Sequence, residues 1–411
     1  MGTDRKKPLG IYVHIPFCVR KCKYCDFVSF PSESGDGGES GDVSLDSPAS
    51  AYVDAVIKEI KGYRDKFRCA DTEYEVKTVY IGGGTPSVIA PFYIAGILEC
   101  IKETFAIDED AEITIEVNPG TVDADKLKTY REAGINRISI GLQSVSDNEL
   151  KALGRIHDFN DFMKAYKDAA AAGFGNINVD VMTAIPYQTM DSLRVTLDTV
   201  TGLSPKPVHI SAYSLIIEEG TPFYELYAKE PEETSTRHGN VPRLPDEETE
   251  RAMYHFTAGY LKEHGYERYE ISNFAIPGYE SSHNSAYWRR RDYTGFGLAA
   301  SSLVNGIRYK NTLKMEDYIK EPLSRELFEE SIELTWDDEM SEYMFLGLRM
   351  SEGVRADDFK REFGTGLMNR YGDEIKRLME EGLLARDDAK GRYYLTDKGV
   401  DYGNYVFSRF V

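Results

Sequence analysis

The segment His14-Ile15-Pro16-Phe17-Cys18-Val19-Arg20-Lys21-Cys22-Lys23-Tyr24-Cys25 places three cysteines within eight residues. Three closely spaced thiolates can wrap one corner of an iron–sulfur cube. A four-iron cluster takes four ligands, so three thiolates leave one iron open to a further molecule. A zinc site would want a fourth Cys or His at short spacing, and none follows. The chain has only five cysteines, and using three of them this way fits a reducing compartment, so a cytoplasmic location is expected. Cys69 and Cys100 stand alone in segments that read as helical and are expected to be packing residues.

Outward from this segment, β-rich apolar runs alternate with amphipathic stretches. The strand candidates are Gly10–Ile15, Lys77–Ile81, Glu112–Val117, Asn136–Ile140, Asn176–Val181 and Pro207–Tyr213. Between them, Ala51–Phe67, Pro91–Phe105, Ala124–Ala133, Asp161–Ala172 and Met190–Leu203 read as helices. Such repetition predicts βαβ units and a parallel sheet, either a partial or full β/α barrel or an open doubly wound sheet. The distinctive polar groups fall at the C-terminal ends of these strands. The cysteines follow the first and Gly82-Gly83-Gly84-Thr85-Pro86 the second. Glu116 and Asn118 close the third, Gln143 follows the fourth, Asp180 ends the fifth and Tyr213 the sixth. In parallel β/α folds these ends share one face, where ligands bind, so one composite site is expected.

The 411 residues suit two or three domains, and a net charge of −20 disfavours nucleic acid and anionic lipid as partners. No apolar run reaches membrane-span length, and the first ten residues lack the apolar stretch of a signal peptide. Residues 31–50 read as a flexible acidic loop, and 229–250 as a polar connection. We expect boundaries near 245 and 334. Residues 1–245 would form the strand–helix core, 246–334 an extension, and 335–411 a small winged-helix-like α+β domain. That last part carries 12 Lys/Arg against 16 Asp/Glu, which argues for packing or docking rather than DNA binding.

The spacing Cys-x3-Cys-x2-Cys, with Tyr24 before the last Cys, resembles the radical S-adenosylmethionine (SAM) superfamily. The resemblance implies a partial, TIM-like β/α barrel of about six parallel strands. It also implies a [4Fe–4S] cluster on Cys18, Cys22 and Cys25, with SAM chelating the fourth iron. One electron from the reduced cluster then breaks a carbon–sulfur bond to leave methionine and a 5′-deoxyadenosyl radical. Glycines let backbone approach a ligand closely, so Gly83, Gly84 and Thr85 are expected at SAM's methionine end. Glu116, Gln143 and Asp180 offer acceptors for ribose hydroxyls or the amino group, and Arg155 can pair with a carboxylate. Tyr24 is expected near adenine, and Tyr12 near the sulfonium or simply in the core.

Within the superfamily the chain is most similar to the oxygen-independent coproporphyrinogen III oxidase group, through Tyr12–Cys18, Gly82–Pro86, Glu116–Gly120 and Gly141–Ser144. Three features separate its two branches. The oxidases carry a fourth Cys where this chain has Phe27, and they have a long arm before the cluster, where this chain has 17 residues. His283-Asn284-Ser285-Ala286-Tyr287-Trp288 matches the HNxxYW element of the other branch, the heme chaperones called HemW. Relatives often place a His shortly after Gly295-Phe296-Gly297, whereas this chain has Ala300-Ser301-Ser302. The resemblance implies heme as cargo, heme-accepting apoproteins (respiratory ones among them) and an electron donor as partners. It implies heme contact by His283, Tyr287 and Trp288. The same residues also read as a turn whose polar groups are satisfied and whose aromatics fill the core. The alternative activity is the oxidative decarboxylation of coproporphyrinogen in porphyrin biosynthesis.

Overall fold

Six apolar segments form parallel strands laid side by side in chain order: β1 (Lys7–Ile15), β2 (Tyr74–Gly83), β3 (Ala106–Val117), β4 (Arg137–Gln143), β5 (Asn176–Thr183) and β6 (His209–Ser214). The computed structural model describes residues 6–31, 48–67, 74–228 and 241–411. Most of the expected acidic loop, Cys69, and residues 229–240 of the second polar stretch lie outside the described residues. Registers such as Ile11 with Val79, Val79 with Ile113, and Val179 with Ile210 align β-branched side chains across the sheet. These side chains are fully buried beneath the crossover helices, as parallel sheets require.

The parallel run is one strand longer than expected. Tyr293–Phe296 pairs parallel to the outer edge of β1, and Ser301–Val304, Ile307–Lys310 and Glu330–Glu333 continue antiparallel from it. At the other edge, Asn273–Ala275 and Glu267–Arg268 follow β6 antiparallel. The result is a twelve-stranded strip whose two ends do not pair with each other among the described residues, a partial rather than a closed barrel. Residues 246–334 therefore extend both edges of the sheet.

Two helices differ from expectation. The stretch expected as one helix over Ala51–Phe67 runs from Pro48 to Lys61 and then breaks before Tyr63–Phe67. At the break, any side chain on Gly62 would collide with Leu323. A further helix, Asp147–Leu153, has no counterpart in the sequence reading. It ends on Gly154 in the left-handed region (φ 80°), and this turn delivers Arg155 to the strand ends.

A buried polar knot ties the first helix to the Gly295–Gly297 turn. Glu59 pairs with Lys66 and accepts from Gly297 N (2.8 Å), Asn311 Nδ2 (2.9 Å) and the Tyr318 hydroxyl. The C-terminal part has its own core around Phe359, Ile375 and Leu378, and a three-stranded sheet of Val354–Arg355, Arg392–Leu395 and Leu384–Asp387. Arg290 staples it to the barrel by reaching Glu339 (3.4 Å), Glu342 (3.4 Å) and Glu362 (2.9 Å).

Glu59→Ala leaves the Gly297 amide and the Tyr318 hydroxyl buried without an acceptor. We expect a loss of about 3–5 kcal/mol, measured as a lowered midpoint in denaturant unfolding.

Candidate functional site

The strand ends surround a single cavity of about 450 Å³. Cys18, Cys22, Tyr24, Cys25, Gly83, Gly84, Thr85, Glu116, Gln143, Arg155 and Asp180 all line it. One strand end or loop after another thus contributes to one wall, as the strand-end argument required.

The cysteine loop is held to the sheet by backbone. Gly84 N donates to Ile15 O (2.9 Å) and Thr85 N to Phe17 O (2.7 Å). A Cβ on Gly84 would meet the Phe17 carbonyl oxygen at 2.7 Å, and Gly83 adopts φ 105° against the His14 ring. The glycine run therefore makes its closest approach to the chain's own loop, while the same residues still face the cavity. His14 Nε2 lies 2.8 Å from Val28 O and so fixes the far end of the loop to β1.

The three thiols are free; Cys18 is buried and the other two half-buried. Among the described residues, no three His, Cys, Asp or Glu side chains converge tightly enough for a single metal ion. A cube needs no such convergence, because each thiolate binds its own iron. Three thiols on one loop therefore fit the corner of a cluster.

Around the thiols the polar groups interlock. Arg155 donates to Cys22 Sγ (3.7 Å), Gly141 O (2.9 Å) and Asn118 Oδ1, and Asn118 Nδ2 donates to Thr85 Oγ1 (2.7 Å). The Tyr80 hydroxyl donates to Glu116 Oε1 (2.6 Å), and Gly83 N reaches Oε2 (3.2 Å). Burial pushes Glu116 up to about 7, with the Tyr80 hydrogen bond pulling down and the charge of Asp180 pushing up. Asp180 is also raised by burial. It does not end its strand but sits three residues inside it, bonded to Asn178 Nδ2 (2.7 Å) and Ser139 Oγ (3.1 Å).

Several buried donors and acceptors at this cavity have no protein partner: Gln143 Oε1, Arg155 Nε and Arg137 Nε. Orphaned groups of this kind, 7–8 % exposed or less, indicate room for a polar ligand. Gln143 is also held at φ 65°, which few non-glycine residues adopt.

The candidate side chains Tyr12, His283 and Trp288 lie off the cavity wall. Tyr12 is not on the cavity wall; its hydroxyl lies 3.0 Å from His14 Nδ1 and its ring stacks on Tyr80. His283 is 1 % exposed at the opposite end of the barrel interior, on the short helix Ser282–Trp288. Its Nδ1 is 2.8 Å from Thr78 Oγ1, its Nε2 is 2.8 Å from the Tyr287 hydroxyl, and its ring stacks on Tyr80 at 5.1 Å. Burial, followed by the positive charge of Arg137, lowers it to about 3, so the imidazole is neutral. As folded, neither ring nitrogen is free to bind iron. Trp288 packs beneath the guanidinium of Arg349, 4.4 Å from the ring centroid, beside Met350 and Tyr269. The element plugs the barrel floor, with Asn284 its one residue on the cavity wall.

Arg137, Ser139, Asn178 and Ser211 also line the cavity and escaped the sequence reading. The signal was present: on β4, Arg137, Ser139, Gly141 and Gln143 occupy alternate positions and therefore share one face.

Profile comparison matches the radical SAM superfamily at residues 12–200 and the HemN C-terminal domain at 334–402. Together with the strand order and the cysteine loop, this defines the chain as a radical SAM protein. The solved E. coli coproporphyrinogen III oxidase HemN superposes with a TM-score of 0.78 over 98% of this chain and 90% of that one, at 22% identity, which establishes the shared fold. The heme chaperone HemW of Lactococcus lactis is 33% identical over 406 residues, spanning 99% of this chain and 98% of the relative. That of Bacillus subtilis is 34% identical over 402 residues, spanning 97% and 98%. Within the superfamily, the chain belongs to the HemW family. Superfamily membership implies a [4Fe–4S] cluster and SAM, and the thiols and orphaned polar atoms fit both. No helix among the described residues is long and apolar enough to cross a membrane.

Two outcomes follow from this geometry. The raised Glu116 favours the folded state most below the ordinary carboxylate range, and its contribution is lost as pH climbs to about 7. Glu116→Gln should remove that share, at most ~1.4 kcal/mol per pH unit, from the pH dependence of unfolding of the ligand-free protein. His283→Ala opens a cavity and orphans Thr78 and Tyr287, so thermal unfolding should report a loss of about 2–4 kcal/mol.

Proposed function

We propose that this chain is a heme chaperone that holds a [4Fe–4S] cluster on Cys18, Cys22 and Cys25, binds SAM beside it, and passes heme to acceptor proteins. Similarity along nearly the whole chain to proteins named heme chaperone HemW carries this reading. In it, residues 1–245 form the cofactor core, 246–334 the extension with the HNxxYW element, and 335–411 a docking domain, all acting in the reducing cytoplasm. The cluster and SAM supply one-electron chemistry when bound.

The chain's own residues have distinct tasks. Arg155 braces the cysteine loop through Cys22 and keeps Nε in reserve for an anionic ligand group. Gln143 presents an unpaired acceptor, suited to a hydroxyl or an amine. Glu116, steered by Tyr80, and Asp180, steered by Asn178 and Ser139, face the same volume as acceptors for ribose or the amino group. Gly83, Gly84 and Thr85 form the wall beside the thiols, and Tyr24 offers an aromatic face for adenine. Tyr12 acts at one remove, through His14 and Tyr80. Contact between heme and His283, Tyr287 or Trp288 would require the floor helix to leave its seat.

Anaerobic reconstitution followed by hemin titration tests the proposal: saturable binding near one equivalent is expected, and no saturable binding would defeat it. Sustained conversion of coproporphyrinogen III to protoporphyrinogen IX with SAM and a reductant would favour the oxidase reading instead. Cys18→Ala, Cys22→Ala and Cys25→Ala should each abolish the brown cluster absorbance. Cys100→Ala should keep it, because that thiol is buried in the helix Pro91–Thr104.

A further inference from the structure

The cavity has two chemically different parts. Its depth is polar and accounts for a zwitterionic, sugar-bearing ligand. Its mouth carries large apolar side chains that such a ligand does not explain: Ile216 is 67% exposed, Phe27 59% and Tyr213 39%. They come from separate elements, Phe27 from the cysteine loop and Tyr213 and Ile216 from the end of β6 and the turn after it. Apolar side chains converging on a ligand cavity from separate elements mark a binding surface more than stray exposure does. Lys21, exposed on the same mouth, supplies an ammonium. Arg20, Asp26 and Glu218 are there too, with Arg20 donating to the Gly154 (3.0 Å) and Arg155 (3.1 Å) carbonyls, so the rim charge is mixed and the apolar contact is the main attraction.

We infer that heme seats on this mouth, with its macrocycle against Phe27, Tyr213 and Ile216 and a propionate toward Lys21, above the SAM cavity and not on His283. The inference rests on the heme-chaperone reading and specifies its site. A flat apolar ring with anionic edges matches an aromatic and aliphatic rim on which Lys21 is exposed. His283 is closed off by Thr78, Tyr287 and Tyr80, whereas the mouth is open among the described residues.

Hemin and hemin dimethyl ester are titrated into the reconstituted, SAM-loaded full chain and into Phe27→Ala, Ile216→Ser, the double variant and Lys21→Gln, with cluster absorbance and SAM affinity recorded in parallel. Each apolar variant is expected to weaken hemin about tenfold, the double variant further, with SAM still bound. The ester is expected to bind less tightly than hemin to the wild type, and the gap should close in Lys21→Gln. Ile216, distant in sequence from the cysteines, keeps the test decisive if Phe27→Ala disturbs the cluster. Unaltered hemin affinity in the double variant would overturn the seat, as would loss of hemin in His283→Gln with the mouth variants binding normally. Equal affinity for hemin and its ester would overturn the propionate contact. A wild-type chain that binds no hemin would defeat the heme-chaperone reading itself, and the seat with it.

Discussion

The glycine turn after β2 is pressed against the backbone of the cysteine loop, and the rest of the site depends on that contact. Two amides, of Gly84 and Thr85, donate into the loop at hydrogen-bond distance, and the approach leaves no room for a side chain at position 84. A loop this long and this polar would otherwise wander. Pinned at one end by these amides and at the other by His14, it offers three thiols in a fixed frame. Arg155, delivered by the turn after a short helix, braces the middle through Cys22. The loop thus gains its order from sheet elements that are themselves rigid, the usual arrangement where irregular backbone must present ligands accurately.

Behind this wall the interior is unusually polar for a β/α barrel. Glu116, Asp180, Asn178, Ser139, Ser211, Arg137 and His209 form layers inside the strands where branched apolar residues would ordinarily pack. Most are satisfied by one another: Asn178 alone bonds Ser139, Asp180 and His209. The unsatisfied remainder is concentrated on the cavity at Gln143, Arg155 and Arg137. Burial raises both acids against the opposing charge of Arg137, so the two carboxyl groups hold protons more readily than exposed ones.

Much of this was legible from the residues alone. All six strands and the composite face at their ends could be read from apolar runs and from the position of each polar group at a strand end. What escaped was written in shorter range. Tyr293–Phe296 is four residues long and glycine-bearing, too brief for periodicity to register, and gains strand character from its neighbours β1 and Ser301–Val304. The helix Asp147–Leu153 is likewise too short. The helical pattern of Ala51–Phe67 is interrupted at Gly62, where an added side chain would meet Leu323, a neighbour only the fold supplies. For Tyr12 and His283 the residues alone left ligand contact and core packing both open, because only the fold brings in their partners Tyr80, His14, Thr78 and Tyr287. In the HNxxYW segment both ring nitrogens of His283 have partners and Trp288 packs against Arg349.

The plugged floor has a consequence for traffic. With the short helix Ser282–Trp288 wedged beneath Tyr80 and clamped from below by Arg349 and Met350, the lower end of the barrel is stoppered. A ligand of the deep cavity therefore has its approach on the strand-end side among the described residues, and a molecule resting there would cover whatever lies deeper until it departed.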